Sequence, residues 1–267
     1  MVVVLRSHTV FDMTKFPVLP DSDIPWTQLL QHIPFADNVC VAGSVGTWFA
    51  QFALTGSTPS WSPGDIDVFV LTPSNSDFAQ MVRSVAQIVY AESGSQKVHL
   101  LRVEEALVGH RSTVIDLYID DIGNLSFIQV TQGYHIDDWV EGLLSTFDIS
   151  VCKVSLHRSI AEVDVFQPDV VTDIDVVKFN YVIVMNDDVC LDIAVKQMEV
   201  EFVPSSRFWT QYLPGMRSMR RLEKYEARGF RLCKITFESA NMSVLQFASI
   251  FESHEQKRIR KLPKINN

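Results

Sequence analysis

The chain has 267 residues, 47% of them hydrophobic and 21% charged, with a formal net charge of −9. This is an ordinary globular composition, enough for one substantial core or two modest ones, and no apolar run approaches the roughly 18 residues needed to cross a bilayer. The opening Met1–Leu5 stretch is too short for a signal-peptide core and has no basic region before it.

In chain order, residues 1–25 lack sustained periodicity and carry Pro17, Pro20 and Pro25, which reads as an extended arm. A helix is expected from about Pro25, with Asp23 as its cap and Trp26, Leu29 and Leu30 facing inward. The apolar strand Asn38–Ala42 follows, then Gly43-Ser44, then a helix through Trp48, Phe49, Phe52 and Ala53. The segment Thr55–Gly64 (TGSTPSWSPG) reads as a loop. It leads into the strand Asp65–Leu71, in which alternation puts Asp65 and Asp67 on one face and Ile66 and Val68 on the other. Two carboxylates at that spacing repel each other unless a cation sits between them, and hard oxygen donors suit Mg²⁺ or Mn²⁺.

Beyond a turn at Thr72–Asp77, the spacing of Met81, Val85, Ile88 and Val89 predicts a helix over 78–92. Alternating segments at Lys97–Val103, Ser112–Asp120 and Leu125–Thr131 read as strands, the last two joined by a hairpin turn. A helix over Ile136–Leu144 leads to Phe147-Asp148-Ile149-Ser150-Val151-Cys152-Lys153. Residues 160–203 read as strands and loops with turns near Pro168 and Asn186. A second Asp-x-Asp, Asp173 and Asp175, has no Gly-Ser strand before it. A helix running from Arg217 through Lys224 to Arg228 is closed by Gly229. An apolar stripe of Val244, Phe247 and Phe251 then precedes a basic tail over 257–261.

Gly-Ser at the end of an apolar strand, followed by a hydrophobic-flanked Asp-x-Asp, resembles the signature of the nucleotidyltransferase superfamily typified by DNA polymerase beta. The string Arg221–Phe230, coming after a Phe-Asp-Ile-Ser-Val-Cys-Lys segment, resembles nucleotidyltransferase-like proteins encoded by large DNA viruses. Together these motifs span about residues 41–230. The 20 residues between Ser44 and Asp65 exceed the spacing of compact family members, so Thr55–Gly64 is read as an insertion. The resemblance implies an α/β (α+β) fold with a mixed sheet and flanking helices. The chain is read as an arm (1–25), a nucleotidyltransferase-like catalytic core (26–160) and a C-terminal strand/helix region (161–267) packed on the core and ending in a basic helical stretch.

The resemblance also implies transfer of a nucleoside monophosphate from ATP or another nucleoside triphosphate to a hydroxyl on RNA, protein or a nucleotide. Two Mg²⁺ (or Mn²⁺) ions would be held by Asp65, Asp67 and a third carboxylate on a strand adjacent to the Asp-x-Asp strand, which is Asp148 if Phe147–Lys153 forms that strand, with Asp116 as the alternative. Gly43 and Ser44 would hold phosphates, and Lys153, Lys224, Arg228 or Arg158 would supply the cation facing the leaving group. The other open reading is an inactive member of the same fold that binds nucleic acid or a protein.

Charge is unevenly divided. Residues 1–206 carry 10 basic and 27 acidic side chains, residues 207–267 carry 13 and 5. The basic end either holds a polyanion such as nucleic acid or a triphosphate, or folds back on the acidic body. Cys40, Cys152, Cys190 and Cys233 are scattered with no Cys-x-x-Cys pair, and three lie in apolar runs. They read as buried thiols of a reducing compartment, cytosolic or nuclear, or the host cytoplasm for a viral protein, with no membrane partner.

Overall fold

An eight-stranded mixed sheet organises the chain in a computed structural model describing residues 8–12, 19–20, 25–92, 98–108, 110–120, 123–131, 139–158, 176–177, 181–202 and 214–237. The elements are β1 (His8–Asp12), β2 (Leu19–Pro20), α1 (Pro25–Leu30), β3 (Val39–Ala42), α2 (Ser44–Thr55), β4 (Asp65–Leu71) and α3 (Asn75–Glu92). They continue as β5 (Val98–Val108), β6 (His110–Ile119), β7 (Gly123–Val130), α4 (Trp139–Ser145), β8 (Ser155–Arg158), β9 (Val176–Val177) and β10 (Tyr181–Asn186). The last are α5 (Asp187–Ala194), β11 (Gln197–Phe202), α6 (Pro214–Ala227) and β12 (Arg231–Phe237). The sheet order is β1-β10-β8-β3-β4-β7-β6-β5, while β11 pairs with β12 and β2 with β9 as separate ribbons.

β4 lies inside the sheet, antiparallel to β3 and parallel to β7. β3 is apolar and buried at all four positions, as a strand needs to be when both its faces are covered. α2 follows after a single residue and lies against β3, β4, β8 and β10. All of its residues from Ser44 to Phe52 are buried. Trp26 of α1 packs edge-on against Trp48, with ring centroids 5.3 Å apart, and Phe49 lies near Tyr181 of β10. Leu29 and Leu30 are buried as the α1 pattern predicts. Burying aromatic surface of this size is a dominant source of core stability.

Gly46 sets how closely α2 approaches β8. A methyl group there would stand 2.5 Å from the Val154 carbonyl oxygen, so no side chain fits without moving backbone. Thr47 Oγ donates to the Val151 carbonyl at 2.6 Å in the same contact.

Three elements differ from expectation. The region read as an arm contains β1, which pairs in register with β10 and forms one edge of the main sheet. α5 occupies a stretch read as strands and loops; Asn186 caps it by accepting from the Val189 amide at 2.8 Å, with Asp187 and Asp188 in the first turn. Phe147–Lys153 is not a strand but a turn, with a 3-10 helix at Ser150–Cys152 and an isolated bridge from Ile149 to Val200. Ser150 causes this: its hydroxyl donates to Asp192 at 2.6 Å and accepts from the Glu199 amide at 2.9 Å. Cys40 and Cys152 are buried as expected, whereas Cys233 is exposed. The 244–251 stripe, the basic tail and Asp173 and Asp175 lie outside the described residues.

Candidate active site

The turn from β3 into α2 and the first half of β4 meet edge to edge. Ala42 pairs with Asp67, so the residue after Ala42 lies beside the Asp67 carboxylate. That residue is Gly43, with φ +80° and ψ −131°, a conformation open to glycine and disfavoured for side-chain-bearing residues. A Cβ at Gly43 would stand 3.5 Å from Asp67 Oδ2, so the missing side chain keeps the approach to the carboxylate open. Ser44, the first residue of α2, is buried and its hydroxyl lies 3.5 Å from the Asp65 carbonyl. The N-terminal amides of α2 open onto the same side, with no side-chain cap.

Asp65 and Asp67 share one face of β4, as the alternation requires. The Asp67 carboxyl is raised from 3.8 to about 7. Removal from water is the largest cause and the Asp65 charge adds to it, while Arg221 and Lys224 oppose the rise. The donor set suits a divalent cation, because a dication between two hard carboxylates relieves the repulsion that raises Asp67. Among the described residues, no group of three His, Cys, Asp or Glu side chains forms a metal cage.

The two residues considered as third ligand sit differently. Asp116 of β6 pairs with Ser126 of β7, and Ser126 pairs with Asp67. Laterally paired residues point to the same face, so Asp116 shares the face of Asp67 two strand spacings away, about 9–10 Å between backbones. Its charge contributes to raising Asp67. Asp148 is buried in the turn before Ser150 and takes a 2.6 Å ion pair from Arg221. β7, the neighbour of β4, presents Asn124 and Ser126 opposite Asp65 and Asp67.

α6 supplies the positive side. Arg221 and Lys224 lie three residues apart on one face of α6, and Arg228 follows four residues later in the turn just past its end. Lys224 Nζ binds Asp65 Oδ1 at 3.1 Å. Arg228 is 8% exposed, its guanidinium lying 4.0 Å over the Trp61 ring and 4.8 Å from the Tyr225 ring. Burial lowers its pKa. Lys153 is turned toward β11, where it pairs with Glu201 at 2.8 Å; the Arg158 side chain lies outside the described residues. Sequence reasoning missed Arg221 and Trp61 as members of this site. The helical spacing of the three cations was the available signal for Arg221; Trp61 carried none.

The sequence matches no protein-family model and no curated protein. Among solved structures, the chain is similar to a CCA-adding enzyme in an apo form, at 12% identity over 88% of this chain and 42% of that one, with a TM-score of 0.39. It is similar also to a CCA-adding enzyme in complex with ATP, at 12% identity over 87% and 44%, with a TM-score of 0.43. A third likeness is to terminal uridylyl transferase 4 from Trypanosoma brucei with bound dUTP, at 14% identity over 39% and 33%, with a TM-score of 0.24. The chain spans less than half the length of each of these proteins.

Proposed function

We propose that the chain transfers a nucleoside monophosphate from a nucleoside triphosphate to a hydroxyl acceptor, releasing pyrophosphate. The observation that carries this reading is the meeting of Gly43-Ser44 at the start of α2 with the Asp65/Asp67 pair of β4, closed by Lys224 of α6. Asp65 and Asp67, with Asp148 or Asp116, would hold Mg²⁺ or Mn²⁺. Such ions lower the pKa of an attacking hydroxyl and neutralise a triphosphate.

The chain's own groups divide the remaining work. Gly43 admits a ligand close to the backbone, and Ser44 with the first amides of α2 offers donors to phosphate oxygens. Lys224, and Arg221 beside it, place positive charge where negative charge grows as pyrophosphate leaves. Arg228 adds to the positive field at the end of the same helix. Lys153, paired with Glu201, serves the site only by changing partner.

A second reading is a non-catalytic protein of this fold that binds nucleic acid or a protein through its basic C-terminal region. It is favoured by Asn124 and Ser126 standing opposite the carboxylate pair and by Arg221 holding Asp148.

The test is incubation with each α-labelled nucleoside triphosphate and Mg²⁺ or Mn²⁺, with RNA and protein acceptors, beside the Asp65→Ala/Asp67→Ala double variant. Label transfer and pyrophosphate release in the native chain alone support the proposal. Absence of turnover with every nucleotide, together with metal-independent binding of RNA or protein, favours the second reading.

A further inference from the structure

The segment over 55–64, read from the sequence as an insertion, is tied down at Trp61. The Trp61 ring Nε1 donates to Gln51 Oε1 of α2 at 3.0 Å, and its carbonyl accepts from Trp48 Nε1 at 2.9 Å. The exposed face of this fixed ring is covered by the Arg228 guanidinium. Arg228 is buried, and its Nη1 makes no hydrogen bond among the described residues. A guanidinium taken out of water in this way is held by the two aromatic faces, Trp61 and Tyr225, with a hydrogen bond to the Tyr225 side chain and the Asp65 charge adding to them.

The placement of this stack gives it a consequence. Trp61 lies four residues before Asp65, and Arg228 lies four residues after Lys224. Trp61–Arg228 and Asp65–Lys224 are therefore two rungs joining the same two segments, about 6 Å apart along α6 and the turn that follows it. The Lys224 ammonium is half exposed and on a flexible stem, so its own ion pair cannot fix the helix. The planar, desolvated stack on one side of Lys224, with the Arg221–Asp148 ion pair on the other, can.

We propose that Trp61 is a positioning residue: by seating Arg228 it fixes the turn of α6 that carries Lys224 and so keeps that ammonium at the carboxylate pair. The kinetic consequence rests on the nucleotidyl-transfer reading; the structural one does not.

The experiment uses the full chain with Trp61→Ala, Trp61→Phe and Arg228→Lys, reading amide hydrogen exchange without nucleotide and, separately, kcat and KM for the nucleoside triphosphate. Trp61→Ala should speed exchange in residues 214–227 about tenfold or more while leaving residues 39–42 and 65–71 unchanged. It should lower kcat/KM about tenfold. Arg228→Lys keeps the charge but loses the planar stack and should behave likewise. Trp61→Phe keeps an aromatic face without Nε1 and should restore both readouts to within about threefold. Unchanged exchange in 214–227 for both Trp61→Ala and Arg228→Lys overturns the proposal. If Trp61→Ala does not fold, Arg228→Lys against the native chain decides on the same readout. A native chain without turnover removes the functional reading and leaves the exchange comparison to decide this one.

Discussion

Lys224 and Asp65 lie 159 residues apart in sequence and meet at 3.1 Å, with side chains 39% and 41% exposed. An ion pair so open to water contributes little to stability, about 0.2–1 kcal/mol. Lys224→Ala should therefore leave the thermal midpoint nearly unchanged. On the proposed function, nucleotidyl transfer should fall about 10²–10³-fold, because the lost charge would face the leaving group. Unfolding scans beside initial rates separate the two effects. A large loss of stability with intact rates would make Lys224 a structural residue.

Asp67 gives a pH dependence of definite sign. Its carboxyl titrates at about 7 in the fold against 3.8 ordinarily, so between those values the folded chain binds the proton more tightly than the unfolded one. The contribution is full below about pH 4 and is lost as pH rises through 7. Asp67→Asn should raise the unfolding midpoint at pH 8, leave it unchanged near pH 4, and flatten the slope between. On the proposed function, Mg²⁺ at pH 7.5 should raise the native midpoint and not that of Asp67→Asn.

Gly46 and Gly43 separate packing from access. Gly46→Ala drives a methyl into the Val154 backbone and should cost about 1–3 kcal/mol or more in urea unfolding. Gly43→Ala should cost a comparable amount, about 1–3 kcal/mol, through its positive φ. On the proposed function it should also weaken nucleotide binding, since its methyl would stand beside Asp67 Oδ2.

Arg221 and Asp148 form a further contact between α6 and the body of the chain. A double-mutant cycle with Arg221→Met and Asp148→Asn should return a coupling of about 0.5–3 kcal/mol in chemical unfolding. A coupling indistinguishable from zero would mean that the buried carboxylate is stabilised by its other neighbours.

What the sequence made legible was local. The strand, Gly43-Ser44, helix and Asp-x-Asp strand fall within residues 39–71, where alternation, a glycine and an amphipathic interval specify one another. α3 was legible from its 3.6 period and α6 from its closing Gly229. The partners of Arg221 and Lys224 were not, because they lie 73 and 159 residues away and depend on how separate elements pack. The strand expected around Asp148 was misread because Phe-Asp-Ile-Ser-Val alternates like a strand, while the two hydrogen bonds of the Ser150 hydroxyl accompany a turn there. α5 was hidden by short length, although Asn186-Asp187-Asp188 is a usable start signal. β1 escaped notice because five residues show little periodicity until β10 pairs with them.

The connection of β11 through α6 to β12, two parallel strands joined by one helix, bears on how the chain is made. β11 gains its partner only when Arg231–Phe237 has emerged and aligned beside Gln197–Phe202. Asp65 and Asp67 are synthesised long before that. At about 5–20 residues per second, roughly ten to thirty seconds separate their polymerisation from that of Lys224. Until then neither the Lys224–Asp65 contact nor the Arg221–Asp148 pair can form, so α6 docks after the sheet strands that receive it have been made.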